Sequence, residues 1–277
     1  MLITTTQLAA HLTDPDWVVC DCRHSLAAPD EGRQAYLAAH IPGARFLHLD
    51  EDLSGPKTGR NGRHPLPDPN RLAARLGALG IDTSKQVVAY DAAGGAFAAR
   101  LWWLLRWLGH QRAALLDGGF PQWLAHQCPT SNALPVPQPV TFTVAPDDSL
   151  RVELGQVAAH FGDGTLRLID ARSPDRYAGQ NETLDPVAGH IPGASNRFFR
   201  LNLDPSDCFL EPAALRREFE ALLTGARPQQ VVHQCGSGVT ACHNLFAMEL
   251  AGLPGSKLYP GSWSEWCVDP ARPVATA

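Results

Sequence analysis

The chain has no run of Lys and Arg, and its formal net charge is −5. It therefore lacks the basic face that nucleic acid or an anionic membrane would require. No stretch reaches the ~18 apolar residues of a membrane span. The opening residues, MLITTTQLAAHLTDPDW, contain no basic segment followed by an apolar one, so no secretory signal is expected. A disulfide framework is also missing. The seven cysteines, at 20, 22, 128, 208, 235, 242 and 267, are odd in number and scattered. In a chain of this size that pattern predicts reduced thiols and a cytoplasmic setting. Cys20 and Cys22 form the only close pair, and without a second pair at ligand spacing no metal is expected. They are placed instead at the end of a buried strand. An apolar content of 44% against 18% charged residues is a globular balance.

What the chain does contain is a duplication. VVCDCRHS (18–25) returns as RLIDARSP (167–174), and AAHIPGARF (38–46) returns as AGHIPGASN (188–196). VVAYDAAGG (87–95) matches VVHQCGSGV (231–239), and LLDGGFPQW (115–123) matches LYPGSWSEW (258–266). Four blocks in one order, with slowly drifting offsets, indicate two homologous domains. Between them a stretch with five prolines has almost no helical periodicity and reads as an extended linker. The expected division is 1–127, a linker at 128–148, and 149–277.

Within each repeat, short apolar runs alternate with helical patterns. Val87-Val88-Ala89-Tyr90 and Val231-Val232 read as buried strands; Leu101, Leu104, Leu105 and Leu108, and later Val239, Cys242, Phe246, Leu250 and Leu253, recur at helical spacing. The predicted fold class is α/β, two tandem domains, each a parallel sheet flanked by helices on both faces. In such sheets ligands bind outside the carboxyl ends of the strands. Cys235 stands at such a turn in the second repeat and Asp91 in the first.

Cys235 enters a glycine-rich strand-to-helix turn. Successive backbone N–H groups there point inward, and a helix N-terminus adds partial positive charge. Gly236 and Gly238 permit the left-handed backbone of such a nest, and these dipoles favour the thiolate, the reactive form. The competing reading is a small buried hydrophobe, the usual fate of a free cysteine. The aligned Asp91 shows that the position need not be apolar. Cys242 fits the apolar stripe and is assigned to the core. A cysteine phosphatase would need Arg six positions after its cysteine, where Ala241 stands, and CGSG is not the C-x-x-C of a thiol–disulfide oxidoreductase.

HIPGA twice, CGSGVT and GSWSEW resemble the two-domain rhodanese-like sulfurtransferases over nearly the whole chain, including an Asp in place of Cys in the first half. The loop is similar to the 3-mercaptopyruvate branch. The resemblance implies that Cys235 takes a sulfur from a small anionic donor as a persulfide, cradled by the amides of Gly236, Ser237, Gly238, Val239 and Thr240. A thiol such as thioredoxin or glutathione, or cyanide, would accept it. No cofactor is implied. In that branch the loop serine, here Ser237, works with a His and an Asp, which map onto His64 and Asp50. Arg176 maps onto an arginine that holds the donor's anionic group. A second such arginine has no counterpart, since Thr183 stands near its place; Arg197 or Arg200 are the candidates to replace it. Thiosulfate is the alternative donor, and a non-catalytic binding module is the alternative from another class. The HIPGA histidines, His40 and His190, are expected to bond local backbone, and Trp102, Trp103, Trp107, Trp263 and Trp266 to pack in cores.

Overall fold

The structure, a computed structural model, describes residues 1–276. It divides into two compact units: residues 1–55, 66–147 and 204–209 form the first, and residues 56–65, 148–203 and 210–276 the second. The first contains strands β1 (Leu2–Ile3), β2 (Trp17–Asp21), β3 (Arg45–Phe46), β4 (Gln86–Tyr90) and β5 (Ala113–Leu116). Its helices are α1 (Thr5–Ala10), α2 (Glu31–Ala38), α3 (Pro69–Ala78), α4 (Ala98–Trp107) and α5 (Gly119–Ala125). The second contains α6 (Leu154–His160), β6 (Arg167–Asp170), α7 (Pro174–Tyr177), β7 (Ser195–Asn196), α8 (Pro212–Leu223), β8 (Val231–Gln234), α9 (Ala241–Leu250), β9 (Lys257–Leu258) and α10 (Ser262–Trp266).

Both sheets are parallel throughout, in the orders β1-β5-β4-β2-β3 and β7-β6-β8-β9. The second order repeats the first, and even β1 has a remnant in the parallel bridge Arg151–Leu258. Helices flank each sheet on both faces, as the alternation of runs predicts. The central strands β4 and β8 are buried at nearly every position; β4 accordingly reads as a near-continuous apolar run, whereas β8 ends in the buried polar pair His233 and Gln234. Among the described residues no helix is long and apolar enough to cross a membrane.

Helix starts follow local chemistry. Asp68 caps α3 by accepting a bond from Arg71 N at 2.8 Å, with Pro69 at the first helical position. Buried on almost every side, α4 packs Trp102, Trp103 and Trp107 into its unit's interior. Cys242 is likewise fully buried in α9. Cys20 and Cys22 are buried at the end of β2, and burial pushes the Cys20 thiol up to about 12.

Two repeated devices lock strand ends to the HIPG turns. Arg23 grips Asp21 through Nε and Nη2 and also donates to Ala39 O at 2.7 Å; Arg172 grips Asp170 and donates to Gly189 O at 2.8 Å. His40 and His190 bond the carbonyls of Tyr36 and Tyr177 and stack on those same rings. Each histidine's backbone also bridges to a later segment of its own unit, at Ser131 and Ala275.

The proline-rich stretch holds no helix or strand between residues 132 and 147 and is bonded along the first unit. Val140 N donates to Gly77 O, Ala145 N to Leu108 O and Asp147 N to Trp107 O, and Phe142 is buried. Proline fixes the extended backbone; side-chain burial and these hydrogen bonds dock it. Nor do the units follow a single cut in the chain, because two short excursions, 56–65 and 204–209, each group with the other half.

Candidate active site

In the second unit, β8 delivers Cys235 into the turn that precedes α9. Cys235 is buried, its N–H donates to Ser262 Oγ at 3.1 Å, and its carbonyl accepts from Trp263 N at 3.0 Å. Gly236 O accepts from Ser264 N at 2.9 Å, so the start of α10 holds the loop from behind. Ser262 adopts φ +55, an unusual backbone for a residue with a Cβ. Its hydroxyl donates to Tyr259 O at 2.9 Å, which fixes that turn.

The two loop glycines answer different constraints. Gly238 has φ +76, and a Cβ there would lie 2.3 Å from Pro260 O. Gly236 lies beneath guanidinium groups: a Cβ there would lie 2.7 Å from Arg63 Nη2 and 3.5 Å from Arg176 Nη2. Arg63 and His64 arrive on the 56–65 excursion, which the second unit pins by a bond from Arg63 N to Ser264 Oγ at 3.0 Å. His64 Nδ1 and Ser237 Oγ share a hydrogen bond of 2.7 Å, with both side chains buried.

A compact ionic cluster adjoins the loop. Arg176 donates from Nε and Nη2 to Glu182 and approaches Asp185 Oδ2 at 3.4 Å. Arg63 Nη1 donates to Asp185 Oδ1. Arg172 Nη1 stands 3.5 Å from Glu182 Oε2, and its guanidinium lies 5.0 Å over the Trp263 ring. Burial pushes the Asp185 carboxyl above its usual range against the pull of Arg63. For Glu182 burial also acts upward, but bonds from the Leu184 N–H and Arg176 more than offset it and leave the carboxyl below its usual range. Trp263 is fully buried and donates from Nε1 to Val187 O.

Both halves of the chain match the model of the rhodanese-like domain, over residues 4–126 and 153–269. The chain is 50% identical to a probable 3-mercaptopyruvate sulfurtransferase of Pseudomonas aeruginosa, covering 99% of this chain and 98% of that one. It is 39% identical to the putative thiosulfate sulfurtransferase SseB of Mycobacterium tuberculosis, with 99% and 96% covered. Among solved structures, the 3-mercaptopyruvate sulfurtransferase from Leishmania major superposes with a TM-score of 0.87 at 29% identity, covering 96% of this chain and 74% of that one. SseA from Escherichia coli gives 0.81 at 28%, covering 95% and 98%. The chain belongs to the rhodanese-like family. It is a sulfurtransferase.

Within this rhodanese-like pair, the first unit shows what such a loop can hold. Asp91 occupies the position of Cys235, and its carboxylate accepts four backbone bonds of 2.7–2.9 Å, from Ala93, Gly95, Phe97 and Ala98. Burial still keeps that carboxyl above its usual range. Gly94, with φ +66, parallels Gly238. The first loop is thus a nest already filled by its own anion.

Of the residues singled out in the sequence, Cys235, Gly236, Ser237, Gly238, Val239 and Thr240 form the loop, and His64 and Arg176 reach it. Asp50 belongs to the first unit, where its carboxylate lies 3.9 Å from His24 Nε2. Together with His48 these groups are close enough to suit a metal ion. The His48 ring is already committed, however: Nδ1 accepts from Asp50 N and Glu51 N, and Nε2 bonds Pro29 O. Arg197 is spent elsewhere, paired with Glu218 and Asn202 and stacked over Phe219, and Thr183 is exposed. Sequence reasoning missed Arg63, Glu182 and Asp185. The one signal for Arg63 was the change from Ala92 to Gly236 between the aligned loops, which clears the space its guanidinium fills.

Proposed function

We propose that the protein moves a sulfane sulfur from 3-mercaptopyruvate to a thiol or cyanide through a persulfide on Cys235. The Cys235 thiolate attacks the donor sulfur and a new S–S bond forms. The carbon–sulfur bond breaks, and its electron pair stays on carbon as the enolate of pyruvate. A proton delivered to that carbon completes pyruvate. An acceptor thiolate or cyanide then attacks the outer sulfur and releases the Cys235 thiolate. The turn after Cys235, whose counterpart in the first unit turns four amides onto Asp91, supplies the N–H groups that stabilise the sulfur's charge in both half-reactions, as oriented donors do at an oxyanion hole.

The observation that carries the choice of donor is the 2.7 Å bond between Ser237 Oγ and His64 Nδ1 beside Cys235. Sulfite, which thiosulfate would leave behind, is a stable anion and needs no proton. An enolate does, and a hydroxyl backed by an imidazole is a competent proton relay near neutral pH. The role of Asp50 in that relay rests on the family resemblance alone. Arg176 holds the donor's carboxylate, for which a planar fork of N–H donors is suited.

The test compares kcat/KM for 3-mercaptopyruvate and thiosulfate with cyanide as the common acceptor. Ser237→Ala and His64→Asn are each expected to lower kcat for 3-mercaptopyruvate by ~10²-fold, the usual worth of a proton-transfer residue, and to spare thiosulfate. A wild-type preference for thiosulfate, or equal losses with both donors, defeats the proposal. Cys235→Ser should abolish transfer from either.

A further inference from the structure

We infer that the first unit carries a second ligand site, a cavity at Arg45 that takes an organic monoanion: one carboxylate on a flat apolar body. The site makes no use of Cys235 and stands apart from the sulfur chemistry. Its volume is about 360 Å³, bounded by residues of α2, β3, α3 with the turn after it, and the proline-rich stretch. Small-molecule sites commonly fall at roughly 300–1,000 Å³. Arg33, Arg45 and Arg75 supply the polar wall; Phe46, Leu79, Leu134 and Pro137 supply much of the apolar one.

The charges on that wall do not balance. Arg33 Nη2 donates to Glu51 Oε2 at 2.5 Å, and Arg75 Nε donates to Asp52 Oδ1 at 2.8 Å. Among the described residues no carboxylate pairs with Arg45, whose Nε and Nη1 are buried and bond nothing. The ionisable groups that act on it are the Cys20 thiol and the Tyr36 phenol, and both are neutral near pH 7. Burial pushes the thiol up to about 12 and raises the phenol, whose hydroxyl donates to Ala44 O at 2.8 Å. A half-buried guanidinium stays charged and offers five donors, so leaving it unpaired costs stability. One positive charge is left over, and one negative charge satisfies it.

The apolar wall specifies what bears that charge. The Arg33 guanidinium lies 5.5 Å over the Phe46 ring, and the Tyr36 hydroxyl is spent on backbone, so both aromatics contribute ring surface. Leu37 and Leu134, also on the wall, are 49% and 58% exposed. A bare inorganic anion would leave this surface in water, whereas a ring carboxylate covers it.

The wall is also held in place. A Cβ at Gly77 would lie 2.4 Å from Val140 O, and one at Gly80 3.0 Å from Gln138 O, so glycine lets the proline-rich stretch close on the end of α3. The same Gly80 Cβ would lie 3.6 Å from both Arg45 Nη2 and Pro137 Cβ, which brings that guanidinium to the proline wall. Pro135 and Pro137 restrict the backbone there, and a rigid wall has little freedom to lose on binding.

The experiment is calorimetric titration of the full-length protein with 2-naphthoate. Two controls divide the probe: 2-naphthylmethanol keeps the rings without charge, and acetate keeps the carboxylate without rings. Both are expected to bind at least ~10-fold more weakly than 2-naphthoate. Arg45→Met should weaken 2-naphthoate by ~10- to 100-fold, the worth of a lost charge-assisted contact. Leu134→Glu, a change on exposed surface, should weaken it by ~10-fold through repulsion and lost apolar cover. Both variants should keep kcat/KM for sulfur transfer within about twofold, as independent sites do. Arg176→Gln, beside the cysteine loop, should leave 2-naphthoate affinity unchanged. The inference fails if 2-naphthoate does not bind, if 2-naphthylmethanol binds as tightly, or if Arg176→Gln and not Arg45→Met removes binding. Should Arg45→Met fail to fold, Leu134→Glu decides, and wild-type affinity in that variant overturns the assignment.

Discussion

Alanine at each of the two loop glycines should separate folding from function within three residues. At Gly238 the new Cβ would lie 2.3 Å from Pro260 O and 3.0 Å from Pro260 C, both backbone atoms, at φ +76. The left-handed conformation costs an alanine ~1–2 kcal/mol, and relieving the overlap adds ~1–3 kcal/mol of packing strain. Gly238→Ala should therefore destabilise by roughly 2–5 kcal/mol and lower Tm by roughly 4–20 °C, given ~2–4 °C per kcal/mol in proteins of 150–250 residues. At Gly236 the obstacles are the ends of two flexible side chains, and φ is unexceptional. Gly236→Ala should cost less than ~1 kcal/mol, as substitutions without backbone conflict do. Its effect should fall on KM for the donor, because the guanidiniums must withdraw. Thermal melts followed by circular dichroism, with steady-state kinetics on the same samples, read both quantities. An unchanged Tm in Gly238→Ala, or a large Tm loss with wild-type KM in Gly236→Ala, would refute the geometric reasoning.

The buried acids of the site should respond to pH with opposite signs. Glu182 is held below its ordinary value of 4.5, so its contribution to stability is present above that pH and is lost as pH falls through its folded value. Asp185 is held above 3.8, so its ionisation costs stability as pH rises through its folded value. Urea unfolding between pH 3 and 7 should show Glu182→Gln losing ground to wild type as pH rises and Asp185→Asn gaining on it; parallel profiles would contradict this. Arg23→Ala and Arg172→Ala should each cost ~3–5 kcal/mol by stranding the buried carboxylate of Asp21 or Asp170, measured as unfolding free energy. Cys242→Ala, deep in α9, should lose about 1 kcal/mol of stability, as an ordinary buried substitution does, and keep sulfur transfer; loss of transfer at normal stability would assign Cys242 a role that packing does not explain.

Much of the site could be read from the duplication. Comparing VVAYDAAGG with VVHQCGSGV marked residue 235 as a position open to chemistry, and the structure shows four amides converging on Asp91 at the equivalent place. The aligned Asp-x-Arg and HIPG blocks have identical bonding in both units, because a short local motif carries its own partners with it. His64 and Ser237 were paired through the family resemblance, and their 2.7 Å bond spans 173 residues of chain. Arg63, Glu182 and Asp185 escaped notice because their significance is an arrangement in space.

The sequence alone determined the two parallel sheets, the turns at the strand ends and which half holds the cysteine. These follow from periodicity, turn residues and repetition, all of which are local. Only the tertiary structure decided which guanidinium stands over Gly236 and which carboxylates balance it. Those contacts are made by an excursion that leaves its own half of the chain, and electrostatic balance depends on distance through space, which residue order does not specify.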